Sequence, residues 1–176
     1  MTKIYSDDPL IKYKDTSIPP DRTKHQIDAV LAEYEVEDIL WHWVKTLVES
    51  GEPGEIYVMF KISETIKGIQ LKVPVRVDCP IIWSRAKPKG RPPRSEQVDW
   101  KTSMRAMYHF IYTHLNAAYA MQSSKVVAFL GYIQTGEKEQ LKDRILPELR
   151  QYSALESPEQ FKNDHVIEGE VVRDPR

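Results

Sequence analysis

Hydrophobic and polar positions alternate along residues 55–76 with the period of two that is typical of β-strands. In the segment EIYVMFKIS the apolar face consists of Ile56, Val58, Phe60 and Ile62. In the segment IQLKVPVRV it consists of Ile69, Leu71, Val73 and Val75. The short connection ETIKG predicts that the two strands form an antiparallel hairpin. Pro74 indicates an edge strand or a strand end, because proline cannot donate a hydrogen bond to a neighbouring strand.

The segment before this hairpin has a helical period instead. Its apolar residues recur at i, i+3, i+4 and i+7, and they are Ile27, Val30, Leu31 and Tyr34. Thr23 and Gln26 have the spacing of a capping box, which predicts a helix over residues 23–34. Paired prolines at positions 19 and 20 argue against helix there, so residues 1–20 are predicted to form an extended N-terminal arm.

Residues 38–48 fit two periods. As a strand, the segment places Ile39, Trp41 and Trp43 on one face. As a helix, it places Leu47 and several other apolar residues on one stripe, so the helical alternative stays open at this point. Tryptophan and β-branched residues are enriched in strands, and this favours the strand interpretation.

The longest helical pattern covers residues 95–121. Its apolar positions are Val98, Met104, Met107, Ile111, Leu115 and Ala118, and the flanking aromatic residues Trp100, Tyr108, Tyr112 and Tyr119 widen the apolar face. Ser95 is the candidate N-cap. The apolar run VVAFLGYI fits no single element type, and residues around Pro147 predict a last, bent helix.

The order of elements is helix, three strands, long helix and smaller helix, or α-β-β-β-α-α. This order predicts an α+β fold of two layers, in which helices pack on one face of a small antiparallel three-stranded sheet. We expect a single domain over residues 21–152, with a loop at 84–95 inside it. Residues 153–176 are rich in acids and poor in large apolar groups, so a largely disordered acidic tail is predicted.

The composition of the chain indicates its cellular compartment more clearly than its function. The chain has 176 residues, a net charge of −1 and one cysteine, Cys79, so it has no internal disulfide and suits a reducing compartment. The N-terminus lacks the apolar stretch of a signal peptide, and no run approaches the roughly 18 apolar residues of a membrane span. We therefore expect a cytoplasmic protein without a membrane partner.

No motif for catalysis or metal binding is present. The chain contains no phosphate-binding GxxxxGK[ST] or GxGxxG loop and no CxxC, HExxH or HxH spacing. His109 and His114 are five residues apart on one predicted helix, which separates them by about 140° around its axis. A nucleophile pair of Cys79 and His42 is conceivable but rests on no motif. We therefore expect no enzymatic activity, no catalytic residue, no metal, no cofactor and no small-molecule substrate.

The strongest chemical feature is a cluster of basic residues in the segment SRAKPKGRPPRSEQVDW. The candidate phosphate contacts are Arg85, Lys87, Lys89, Arg91, Arg94, Lys101 and Arg105. Several long cations without intervening acids suit phosphate binding, and Lys101 and Arg105 continue the cluster along the long helix at i and i+4. The alternatives are a solvated loop that aids solubility and a contact to an acidic protein.

Trp41 and Trp43 are candidate stacking residues, because aromatic side chains on a sheet can stack on unpaired bases. The alternative is that both side chains fill the core between sheet and helices.

Three sequence blocks also resemble a group of small uncharacterised proteins of phages and other mobile elements. The blocks are IPPDRTKHQIDAVLAEYEVEDILW, VMFKI followed by IQLKVPV, and VDWKTSMRAMYHFIYTHLNAAYAM, within about residues 17–135. Trp100-Lys101 corresponds to the pair that starts the long helix in this group, and Val73-Pro74 to the pair that ends a strand. The resemblance implies a mobile-element setting and no assigned activity.

The leading hypothesis is a non-enzymatic, nucleic-acid-associated accessory protein that binds DNA or RNA in replication, recombination or defence. The alternative is a protein-interaction module, such as an inhibitor or adaptor, that binds a protein of the host or of the mobile element.

Overall fold

A computed structural model describes residues 3–44, 54–66, 68–84, 97–136 and 139–153; of residue 66 and residues 148–153 only the backbone is described. The strands are β1 (Ile4–Tyr5), β2 (Glu37–Trp43), β3 (Ile56–Ile66), β4 (Ile69–Asp78), β5 (Ile82–Ser84) and β6 (Gln97–Val98). The helices are α1 (Pro20–Glu33), α2 (Trp100–Ala120), α3 (Lys125–Ala128) and α4 (Leu141–Ser153), with a 3-10 turn at Leu130–Tyr132.

The main sheet has the order β2-β3-β4 and is antiparallel throughout. Strands β3 and β4 pair from Tyr57 opposite Asp78 to Ile66 opposite Ile69, which leaves two residues to connect them. Gly68 has a φ of +79°, a conformation that glycine adopts without steric cost in such tight hairpins. The predicted hairpin is therefore confirmed, and so is the edge position of the strand that contains Pro74.

Residues 37–43 form a strand, which decides between the two periods of this segment. Ile39, Trp41 and Trp43 pack towards the core, while Leu40 points away from it and is exposed. The part of the prediction that covers residues 45–48 lies outside the described residues.

The core lies between the main sheet and α1, α2 and α3. Its fully buried side chains include Ile27 and Leu31 from α1, Val58, Phe60, Ile62 and Val75 from the sheet, Met104, Ile111 and Leu115 from α2, and Phe129 after α3. The ring of Phe129 meets that of Phe60 edge-on, with centroids 5.6 Å apart. The predicted α+β class, with helices on one face of a small antiparallel sheet, is confirmed.

Helix α1 starts at Pro20, three residues earlier than predicted. The prediction that the paired prolines exclude a helix is wrong for Pro20, because a proline at the first helical position loses no intrahelical hydrogen bond. The predicted capping box is absent. The N-cap residue is Pro19, and the hydroxyl of Thr23 instead donates to the Pro19 carbonyl oxygen at 3.3 Å.

Helix α2 starts at Trp100, later than the predicted position 95. Asp99 caps it by accepting hydrogen bonds from the Thr102 backbone N–H at 3.1 Å and from the Thr102 hydroxyl at 2.9 Å. Val98 was expected on the helix but belongs to β6, and Ser95 lies outside the described residues. The predicted helical pattern included Val98 because the position of a single apolar residue fits a helix as well as a strand.

A second small sheet, which the sequence did not predict, joins the N-terminal segment to the start of α2. Strand β1 runs parallel to β5, and β6 pairs antiparallel with β5 on its other side. The Ile82 backbone N–H donates to the buried hydroxyl of Ser103 at 3.1 Å, and the Asp99 N–H donates to the Ile82 carbonyl at 2.7 Å. These two bonds fix β5 and β6 against the first turn of α2.

The apolar run VVAFLGYI forms α3 and the 3-10 turn, and the predicted last helix is α4, with Pro147 inside it. The predicted tail beyond residue 153 lies outside the described residues.

The bond between Ile82 and Ser103 leads to a stability prediction. In a Ser103→Ala variant the buried Ile82 N–H loses its partner, so we expect the free energy of unfolding to fall by about 1–3 kcal/mol in urea titrations. The exposed Ser17→Ala is the matched control and should change it little. Wild-type stability for Ser103→Ala would contradict this role.

Candidate nucleic-acid interface

The described residues on either side of the predicted basic loop lie next to each other in the fold. Its flanking strands pair Trp83 with Val98 and Ser84 with Gln97, and α2 begins three residues after Gln97. The loop residues Arg85, Lys87, Lys89, Arg91 and Arg94 themselves lie outside the described residues, so their role stays a prediction. The described strands nevertheless place both ends of this segment beside the first turn of α2.

Two of the predicted contacts, Lys101 and Arg105, are described, and both lie on the first two turns of α2. Lys101 is exposed, whereas Arg105 is half-buried. The Arg105 guanidinium donates to the Gln26 side-chain oxygen at 2.7 Å and lies 4.4 Å from the centroid of the Tyr108 ring. These contacts hold the guanidinium in place without neutralising its charge.

Within the described ranges, neither Lys101 nor Arg105 forms an ion pair with a carboxylate. Other cations differ, because Lys24, Lys61, Lys72 and Arg76 each lie within 4.0 Å of an aspartate or glutamate oxygen. Unneutralised cations are the groups that a phosphate ligand can use. The nearest acid along the chain is Asp99, whose side chain is engaged in capping α2.

A groove of about 570 Å³ lies between the N-terminal segment and α2, and we call it the cationic groove. Its lining includes Lys12, Lys14, Arg105 and His109, with Asp15 as the acid. The ring of Tyr13 stacks on that of His109, with centroids 4.0 Å apart and planes 6° apart. This stack attaches the N-terminal segment to α2 and brings two further lysines to the side of Arg105.

Burial, and after it the positive charge of Arg105, lowers the pKa of His109. The imidazole therefore prefers its neutral form in the folded protein, which suits a ring stacked on Tyr13 beside three cations.

Sequence reasoning missed the groove residues Lys12, Lys14 and His109. The segment KYK at 12–14 was a signal, since it places an aromatic side chain between two cations. Nothing in the sequence indicated that Tyr13 would meet His109, because the two residues are far apart in the chain.

Trp41 and Trp43 are half-buried and pack against the core, with ring centroids 5.9 Å apart. The Trp41 indole N–H donates to an Asp28 carboxylate oxygen at 2.8 Å. These contacts fit the core interpretation, and stacking of the two indoles on bases stays a prediction.

The candidate nucleophile pair is not brought together. Cys79 lies opposite Ile56 on the inner side of the sheet, where its sulfur is 3.8 Å from that of Met104. His42 lies on the other face, stacked on Tyr57 with centroids 4.7 Å apart. Burial, and then the charge of Asp78, raises the pKa of the Cys79 thiol to about 12. A thiol of this kind carries little thiolate at neutral pH.

Among the described residues, no group of three or more histidine, cysteine, aspartate or glutamate side chains is arranged to hold a metal ion. Likewise, none of the helices described has the length and apolar character that crossing a bilayer requires.

Comparison of this chain with protein-family models, with curated proteins and with solved structures finds no match in any of the three.

The state of His109 leads to a pH prediction. Folding lowers the pKa of His109 below the value near 6.5 that it has in the unfolded chain. The stability that its neutral imidazole contributes is therefore present above pH 6.5 and is lost as the pH falls through the pKa of the folded protein. The free energy of unfolding should therefore fall less between pH 7.5 and pH 5 in His109→Gln than in the wild type. The exposed His25→Gln serves as control and should keep the wild-type slope. Equal slopes for His109→Gln and wild type would refute the assignment.

The burial and protonation of the Cys79 thiol can be tested by its reaction with a thiol reagent. We expect 5,5′-dithiobis(2-nitrobenzoate) to react with the native protein at pH 8 at least about tenfold more slowly than with protein unfolded in urea, because the buried thiol stays protonated. Equal rates would show that Cys79 is accessible and would reopen a nucleophilic role.

Proposed function

We propose that this protein is a non-enzymatic accessory protein that binds nucleic acid through a local cationic surface. The surface consists of Lys101 and Arg105 at the start of α2, the adjoining cationic groove and the basic segment 85–94. The observation that supports it best is that Lys101 and Arg105 lack carboxylate partners among the described residues, while the cations of the main sheet are paired. Phosphate groups would supply the missing negative charge.

A local surface is required because the net charge of the chain is only −1. A protein of this charge has no overall field to attract a polyanion, so affinity must come from cations that converge. Each phosphate that such cations neutralise releases condensed counterions, and this makes binding favourable and dependent on salt.

The biological setting is proposed from the sequence resemblance alone. Similarity to small proteins of phages and other mobile elements supports a cytoplasmic role in replication, recombination or defence of such an element.

A protein partner is the second candidate, favoured by a different surface. A groove of about 620 Å³ at the C-terminal end of α2 is lined by Glu33, Glu35, Tyr119 and Lys125, among others. The neighbouring apolar side chains Met121 and Val127 are exposed. An acidic groove with exposed apolar residues suits a protein rather than a phosphate backbone. Co-purification of a defined partner that survives nuclease treatment would favour this alternative.

The salt dependence of binding tests the first proposal. On duplex DNA we expect log K to fall linearly with log salt, with a slope of about −0.9 for each phosphate neutralised. The double variant Arg91→Gln with Arg94→Gln should weaken binding and make this slope shallower by about 1 to 2, measured by fluorescence anisotropy between 50 and 200 mM salt.

A charge-matched control is Lys142→Gln with Arg144→Gln, which removes two cations from α4, and it should leave affinity and slope unchanged. If the wild type binds neither DNA nor RNA near 50 mM salt, the proposal fails.

A further inference from the structure

One flank of α2 carries cations and aromatic rings in a single row, which we call the aromatic row. Its members are Lys101, Arg105, Tyr108 and Tyr112, at i, i+4, i+7 and i+11. At 100° per residue these positions fall within about 60° around the helix axis, so their side chains leave the helix on the same side. The row begins at the first turn of α2, beside the strands that flank the basic segment.

The rings of the row are already arranged for stacking. The Arg105 guanidinium lies 4.4 Å from the centroid of the Tyr108 ring. The next ring, Tyr112, is nearly parallel to Tyr108, with planes 8° apart and centroids 6.0 Å apart. Guanidinium and phenol groups thus follow one another along the helix.

Exposure distinguishes the two tyrosines. Tyr108 is half-buried and packs against the core, which fits its predicted place beside the apolar face of the helix. Tyr112 was predicted to widen the same face, yet it is 40% exposed and belongs neither to the core nor to the side chains packed against it. Part of the Tyr112 ring is therefore open to a ligand.

Resting on the proposed function, we propose that the aromatic row selects single-stranded nucleic acid over duplex, with bases stacking on Tyr112 and phosphates contacting Lys101 and Arg105. Bases in a single strand expose their faces, so an aromatic side chain can stack on them whatever the sequence. In a duplex those faces are covered by neighbouring base pairs. The phosphate contacts serve both forms, whereas the stacking contact serves only the single strand.

Charge defines the direction and the end of this site. Beyond Tyr112, the same side of α2 carries Tyr119. Its ring packs edge-on to the ring of Tyr34, with centroids 6.2 Å apart. Glu33 and Glu35 line the groove at this point, and their carboxylates repel phosphate groups. The bound strand should therefore run from the start of α2 to Tyr112 and not reach Tyr119.

Fluorescence anisotropy with labelled dT20, labelled U20 and a 20-base-pair duplex tests the proposal at 50 mM salt. The wild type should bind at least one of the two single strands more tightly than the duplex. Replacing the ring, in Tyr112→Leu, should weaken binding of that single strand by about fivefold to a hundredfold and leave duplex binding within twofold. Tyr112→Phe keeps the ring and should bind like the wild type.

Tyr119→Leu is the matched control, since it removes an even more exposed ring, 75% exposed, from the acidic end of the same helix. It should bind all three ligands like the wild type. Because no charge is removed, Tyr112→Leu should also keep the wild-type salt slope on the duplex. Thermal melts of each variant would verify that the fold is retained.

The failures of the two proposals can be told apart. If the duplex binds as tightly as both single strands, or if Tyr112→Leu binds every ligand like the wild type, the single-strand inference is overturned while the cationic surface stands. Absence of binding to all three ligands would overturn both.

Discussion

Burial of one stripe of α2 in the core is the contact on which the rest of the structure depends. Met104, Met107, Ile111 and Leu115 share one apolar cluster with the inner side chains of the main sheet, and each is almost completely buried. Turning the helix would expose several of these side chains together, at a cost of about 1.5–3 kcal/mol for each one. The rotation of α2 about its axis is therefore fixed.

This fixed rotation positions the candidate interface. With the buried stripe turned to the sheet, the flank that carries Arg105 faces Gln26 of α1, and the guanidinium bonds to that side chain. The same flank presents His109, about one turn further along, to the ring of Tyr13. The start of the helix is tied to β5 through Ser103. Three separate parts of the chain thus contact the N-terminal half of α2, because a single apolar stripe orients this helix.

The contrast between paired and unpaired cations has a physical basis in the sheet. Within the sheet, Lys61 on β3 pairs with Asp38 on the neighbouring strand β2. Lys72 on β4 reaches past β3 to Glu37 on β2. Such exposed pairs add little stability but neutralise charge locally. At the start of α2, the neighbouring side chains are Gln26 and Tyr108, which hold a guanidinium without neutralising it. Arg105 therefore keeps its charge for a ligand, because Gln26 and Tyr108 are uncharged and the Asp99 carboxylate is engaged in capping α2.

Alternation of apolar residues determined β3 and β4 from the sequence alone, because a strand with one buried face must alternate. The helical period likewise determined the buried stripe of α2. The start of α2 was misplaced because the bond from Thr102 to Asp99 outweighs a period that continues through Val98. The basic character of segment 85–94 and the spacing of Lys101 and Arg105 were also present in the sequence.

Only the tertiary structure decided that Lys12 and Lys14 join Arg105, since the stack of Tyr13 on His109 joins residues distant in the chain. It also decided that Tyr108 packs against the core while Tyr112 faces solvent, because that depends on how far the neighbouring helix covers the flank of α2, which no local pattern encodes.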